Sequence, residues 1–220
     1  MRSVRVWYKK HGPCRYISHL DVNRAFMRAM QMSGLPFWHT EGFNSRMYVS
    51  FALSLSLGFT GENECADMKL TEDSADNEYI IKRLNECLPD GIEIFAVTDP
   101  IMKPAEISFA EFEVLISSDH SDPTEIQSKL IALLGREHIY TEKRTKKGDL
   151  KQVDIKENIG EYSVTAGNGS VVLRIILPAG NNLNINPSLI TDILERECGF
   201  EISCDVKRGK LYNNKLELFR

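Results

Sequence analysis

The chain has 220 residues, enough for one large domain or for two of roughly 100 residues that each bury a core. Its formal net charge is -4, no apolar run approaches the ~20 residues of a bilayer-spanning helix, and the opening MRSVRVWYKK lacks the apolar core of a secretory signal. A cytoplasmic protein with no membrane partner is therefore expected. Cys14, Cys65, Cys87, Cys198 and Cys204 are odd in number, scattered and free of any C-x-x-C pair, which argues against disulfides and against a tetrathiolate zinc site.

The small net charge hides a segregation. Residues 1–50 carry eight Lys/Arg against Asp21 and Glu41, residues 51–135 carry five against seventeen acidic residues, and residues 136–220 carry fourteen against twelve. The N-terminal part thus has a field suited to phosphate, while the acidic middle suits solvent or a basic partner.

In chain order, residues 4–9 alternate apolar and polar side chains as a half-buried strand does. Ser18, with Asp21 three residues on, then signals a helix start, and Val22, Ala25, Phe26, Ala29 and Met30 supply its buried stripe. Gly34 stands where a left-handed cap belongs, and Arg24 and Arg28 share the opposite face. A short strand is expected at 35–38, then a long loop, an alternating strand through Phe51, Leu53, Leu55 and Leu57, and a strand at 65–70. A second helix covers 76–88, with Pro89-Asp90-Gly91 ending it, and a strand at 92–98 follows.

The later residues repeat this order. A strand at 107–117 precedes a helix opened by Asp122-Pro123 and closed by Gly135. Strands follow at 139–143, 161–165 and 171–177, then a helix from Asn186-Pro187 to Gly199, a strand at 201–207 and a last one at 216–219. The expected fold class is α+β: two tandem ferredoxin-like (βαββαβ) halves with mainly antiparallel sheets and a long loop in the first. The halves would be residues 1–100 and 105–220, joined by a linker that Pro100 and Pro104 bracket.

The chemistry-bearing residues concentrate between Arg15 and Gly58. Lys9, Lys10, His11, Arg15, Tyr16, Arg24, Arg28, Trp38, His39, Phe43, Arg46 and Tyr48 mix cations with aromatic rings. That mixture holds single-stranded nucleic acid, because cations neutralise phosphates while ring faces stack on unpaired bases. The bland alternative is that Phe37, Phe43 and Tyr48 fill a core and the arginines are merely solvated. A second basic cluster is Lys143-Arg144-Thr145-Lys146-Lys147, and Asp154, flanked by Val153 and Ile155, is placed to pair with a lysine or arginine. Lys207-Arg208-Gly209-Lys210 adds a basic element near the end.

No phosphate-cradling glycine motif occurs, so nucleotide hydrolysis is not expected, and His11, Cys14, His19 and His39 lack a metal-finger spacing. His19 beside Asp21, or His39 beside Glu41, could remove a proton from a ribose 2′-hydroxyl.

The runs R-Y-I-S-H-L-D-x-x-R-A-F-x-R-A, S-G-L-P and E-G-F-N-x-R-x-x-x-S-F-A-L-x-L-x-L-G, with R-T-K-K-G-D-L-K-Q-V-D-I-K later on, resemble the radical-SAM-associated family of unknown function. That resemblance implies association with radical SAM chemistry on RNA. The chain departs from the family pattern at Ser45, Met47, Ser54 and Ser56, where prolines are usual, and at Asn186-Pro187, where an arginine-proline pair is usual. It also lacks a C-x-x-x-C-x-x-C triplet, so S-adenosylmethionine and an iron–sulfur cluster would belong to a partner. Tandem ferredoxin-like halves also resemble the RNA-binding RAMP proteins of CRISPR systems, by fold analogy alone.

The expected function is that of an RNA-binding accessory protein, itself without catalysis, presenting a tRNA or ribosomal RNA to a radical SAM enzyme. Its RNA contacts would be Arg15, Arg24, Arg28, Trp38, Phe43, Arg46, Tyr48, Lys143, Arg144, Lys146 and Lys147. The alternatives are a metal-independent endoribonuclease using His19 or His39, and a protein-interaction module docking through residues 51–57.

Overall fold

The computed structural model describes residues 1–72, 75–144, 150–180 and 183–220, with the backbone alone at 143–144 and 150–151. The fold is mixed α/β with a mainly antiparallel sheet and few helices. It divides into two compact units: Met1–Ile107 with Arg208–Arg220, and Ser108–Lys207.

In the first unit, β1 (Arg2–Lys10) lies between β4 (Ile92–Thr98) and β3 (Thr60–Leu70), and β2 (Val49–Phe51) pairs β3, all antiparallel. The residues Arg208–Tyr212 of β10 (Ser203–Tyr212) also belong to this unit. Two helices cover one sheet face. In α1 (His19–Ser33) the Ser18 hydroxyl accepts the Asp21 N–H, and Gly34 ends the helix at φ 71°. In α2 (Asn77–Asn85) the Asp76 carboxylate accepts the Tyr79 N–H. These caps satisfy N–H groups that have no partner inside the helix. Alternation along β1 turns Val4, Val6 and Tyr8 towards Phe26, Met30, Ile80 and Leu84, all of them buried. Each such side chain contributes roughly 1.5–3 kcal/mol by leaving water.

In the second unit, β5 (Phe109–Ser117) pairs β9 (Ser170–Pro178), which pairs β8 (Tyr162–Gly167), and the Ser203–Lys207 part of β10 completes the order β10-β5-β9-β8. The helices α3 (Pro123–Leu134) and α4 (Ser188–Cys198) bury Ile126, Leu130, Leu133, Ile190 and Leu194.

Four sequence expectations give way. Residues 35–38 form no strand but a single bridge, Phe37 to Leu70. The alternating residues 51–57 also are not a strand beyond Phe51. The Leu53 and Ser54 carbonyl oxygens accept hydrogen bonds from the Arg208 guanidinium (3.1 and 3.0 Å), so a side chain satisfies this backbone instead of a neighbouring strand. The strand β6 (Tyr140–Arg144) joins no large sheet; it pairs β7 (Leu150–Asp154) in a separate two-stranded ribbon. Residues 216–219 make one bridge, Tyr212 to Leu218, after a turn in which the Asn213 side chain accepts the Lys215 and Glu217 N–H groups.

Candidate nucleic-acid interface

The long loop of the first unit is a narrow hairpin. Trp38 donates its N–H to the Lys69 carbonyl (2.8 Å), which fastens the stem to β3. Across the hairpin, Tyr48 N–H meets Trp38 O at 3.0 Å, Thr40 N–H meets Arg46 O at 2.8 Å, and His39 bridges Met47. Gly42 turns the tip with φ 119°, a conformation that glycine adopts without a side-chain clash. Residues 41–46 are all exposed, and Phe43 stands completely outside the fold at 103% relative exposure.

The hairpin stem is aromatic. The Trp38 and Tyr48 rings lie 6.1 Å apart, and the Lys69 ammonium sits 5.1 Å from the Trp38 ring and 4.8 Å from the Tyr48 ring. A cation between two ring faces is attracted by both quadrupoles, so Lys69 orders the stem. The structure thus brings Trp38, Phe43, Arg46 and Tyr48 together on one hairpin. Lys69 was missed in the sequence because nothing local marks its meeting with rings more than twenty positions away.

The other basic residues lie elsewhere. Arg15 donates from Nε to the Gly58 carbonyl (2.8 Å), and Gly58 N–H returns a bond to Arg15 O (2.8 Å), which ties the segment before α1 to the loop after β2. Arg15 also lies over its neighbour Tyr16, 5.5 Å from the ring centroid. Arg24 pairs Asp21 (3.1 Å), and Arg24 and Arg28 flank an open cavity of about 430 Å³ that also reaches Met32 and Leu88. Lys146 and Lys147 lie outside the described residues. Lys143 and Arg144 are described by their backbone, which pairs Lys151 and Leu150.

Two cations expected at the surface are buried instead. Lys10 is 1% exposed and its ammonium donates to the Ile17 carbonyl (3.2 Å); burial pulls its pKa down, against the opposing charge of Glu64. Arg208 is 4% exposed and forks onto the Glu64 carboxylate at 2.9 and 2.5 Å. Burial works to lower the Arg208 pKa, but the charge and hydrogen bonds of Glu64 outweigh it and hold the guanidinium above its ordinary value.

The two candidate histidines have different settings. His19 packs edge-on against Phe51 (5.1 Å), and burial, followed by the charges of Lys10 and Arg208, lowers its pKa. The Asp21 carboxylate beside it is engaged by the Ser18 hydroxyl (2.6 Å) and by Arg24 (3.1 Å). His39 is exposed within the hairpin.

The residues 51–57 offer no free apolar strand. Phe51 packs on Tyr8 and Phe26 and Leu55 is 8% exposed, whereas Leu57 is 64% exposed. Among the described residues no three His, Cys, Asp or Glu side chains gather as a metal-ligand set. Burial raises the pKa of Cys14, and that of Cys65 to about 12. Among the described residues no helix is long and apolar enough to cross a membrane.

No curated protein matches the sequence. A chain in a crystal structure of a Cbf5-Nop10-Gar1 complex is similar at 13% identity and a TM-score of 0.51, over 95% of this chain and 48% of that one. The present chain therefore spans about half the length of that neighbour, and the likeness concerns the fold alone. A chain in a crystal structure of an unknown protein from Galdieria sulphuraria aligns at 12% identity and a TM-score of 0.29, over 94% of this chain and 98% of that one. A family model covers residues 3–187, and the chain accordingly belongs to the family described as "Uncharacterized protein conserved in bacteria (DUF2344)".

Proposed function

We propose that the chain is an RNA-binding accessory protein that presents an RNA, a tRNA or ribosomal RNA, to a separate radical SAM enzyme. The observation that carries the RNA-binding reading is the hairpin of residues 38–48: an ordered aromatic stem, a completely exposed Phe43 and an exposed Arg46 three positions on. An unpaired base stacks on such a ring and its phosphate meets the guanidinium. We read the order of β4, β1, β3 and β2, repeated by β10, β5, β9 and β8, as two ferredoxin-like units. On that reading the hairpin enters β2 of the first unit.

The radical SAM partner rests on the sequence resemblance. S-adenosylmethionine and the iron–sulfur cluster would be that partner's. Hydrolysis by His19 has less support, because its ring is packed against Phe51 and its neighbouring carboxylate is engaged.

Filter binding of single-stranded RNA to the full chain tests the reading. Phe43→Ala with Arg46→Ala should lose the ~1–3 kcal/mol of one base stack and lower the log–log salt slope by about 1. Unchanged affinity and slope overturn it. For the partner, affinity purification from a cell extract should recover a protein with a C-x-x-x-C-x-x-C triplet; its absence overturns the accessory role.

A further inference from the structure

The second unit contains an open cleft of about 330 Å³, floored by Leu133, Ile139 and Ile193. Asp154, expected to meet a lysine or arginine, meets His138 at its rim: Oδ2 lies 2.6 Å from His138 Nδ1. Its other oxygen accepts the Ile139 and Lys156 N–H groups, each at 3.0 Å. This fixes the imidazole by its Nδ1 edge, and the ring then stacks on Tyr140, 5.6 Å away and 20° from parallel. Both rings are open to solvent, with 61% of the His138 side chain and 52% of Tyr140 exposed. The core does not need these faces, yet they are held in place, which is the preorganisation a ligand site requires.

The charges at the rim are largely matched. Arg136 forks onto Glu197 at 2.6 and 2.8 Å, and Asp154 is engaged as described. Arg196, also lining the cleft, donates from Nε to the Asp192 carbonyl (3.2 Å), leaving four N–H donors of its planar guanidinium.

We propose that this cleft binds one nucleotide unit, its base against the Tyr140 and His138 rings above the apolar floor and its phosphate on Arg196. The cleft does not depend on the hairpin of residues 38–48 and stands whether or not that hairpin binds RNA.

Isothermal titration of the full chain with UMP and AMP, and separately with oligouridylate, tests it. Both nucleotides should bind. Tyr140→Ala should weaken them about fivefold or more, whereas Tyr140→Phe should keep the stack. Arg196→Ala should weaken the nucleotides about tenfold and leave uridine and adenosine unaffected. Both substituted side chains are exposed, and circular dichroism checks that the fold persists. Phe43→Ala should not change mononucleotide binding; if it does, the ligand belongs to the hairpin and the inference fails.

No mononucleotide binding, or binding indifferent to Tyr140→Ala and Arg196→Ala, overturns the proposal. If those variants act as expected while oligouridylate binding ignores Phe43→Ala and Arg46→Ala, the hairpin reading fails and the cleft stands. Oligouridylate that depends on Tyr140 and binds tighter than UMP supports the cleft with an RNA strand as the source. Equal affinity supports it with a free nucleotide.

Discussion

Replacing Arg208 by methionine keeps much of its length and removes its charge. In the native chain this guanidinium makes four hydrogen bonds: two to Glu64, and one each to the Leu53 and Ser54 carbonyls. Glu64 is 2% exposed, so the variant leaves a carboxylate buried without its counter-charge. Breaking such a pair on one side costs ~3–5 kcal/mol, and two carbonyls left without donors add ~1 kcal/mol each or more. At about 2–4 °C per kcal/mol for a chain of this size, the melting temperature should fall by roughly 10–30 °C.

Removing both charges, Arg208→Met with Glu64→Leu, should recover most of that loss, because an apolar pair replaces a buried ion pair at little cost. Urea unfolding of the two variants measures this. Hydrogen exchange should also accelerate at Ala52 and Gly58, whose N–H groups bond to Cys65 and Arg15 within the segment that Arg208 pins. A single-variant cost below ~1 kcal/mol, or a double variant at least as unstable as the single one, refutes the reasoning.

Phe26→Ala, at a position with 0% exposure, should cost ~3–5 kcal/mol in urea unfolding; a cost under ~1.5 kcal/mol contradicts the packing described. Ser18→Ala removes the acceptor for the Asp21 N–H and should cost about 1 kcal/mol in the same assay. With its pKa near 12 and 2% exposure, Cys65 should resist iodoacetamide at neutral pH until the protein unfolds, and rapid native labelling there counts against its burial. The bonds from Lys156, Ile139 and His138 depress Asp154 from the ordinary 3.8 to about 2. Its stabilising contribution is therefore present above its unfolded pKa and lost as pH falls through the folded one. Asp154→Asn should flatten the acid limb of the stability curve in that window, and an unchanged limb refutes the bond set.

The helices were legible in the sequence because their determinants are local. Ser18, Asp76 and Asp122 cap the starts that their positions announce, and Gly34 and Gly199 end their helices in the left-handed conformation. The candidate site was legible in part. Trp38, Phe43, Arg46 and Tyr48 were singled out as types, but their union on a hairpin depends on the backbone bond from Trp38 to Lys69. The pairing of His138 with Asp154 joins residues sixteen positions apart across a two-stranded ribbon, and neither neighbourhood announces it.

The sequence by itself determined what depends on neighbours within a few residues: the helix caps, the buried stripe of α1, the alternation of β1 and the segregation of charge. Tertiary structure alone decided which charges are surface and which are interior. Arg208 reads as one member of a basic tetrad, yet its partners Glu64, Ser54 and Leu53 lie 144 to 155 positions away. A charge can be buried only where a counter-charge and donors or acceptors meet it, and that meeting belongs to the fold. The same long-range bonds turned the alternating residues 52–57 from an expected strand into a pinned loop.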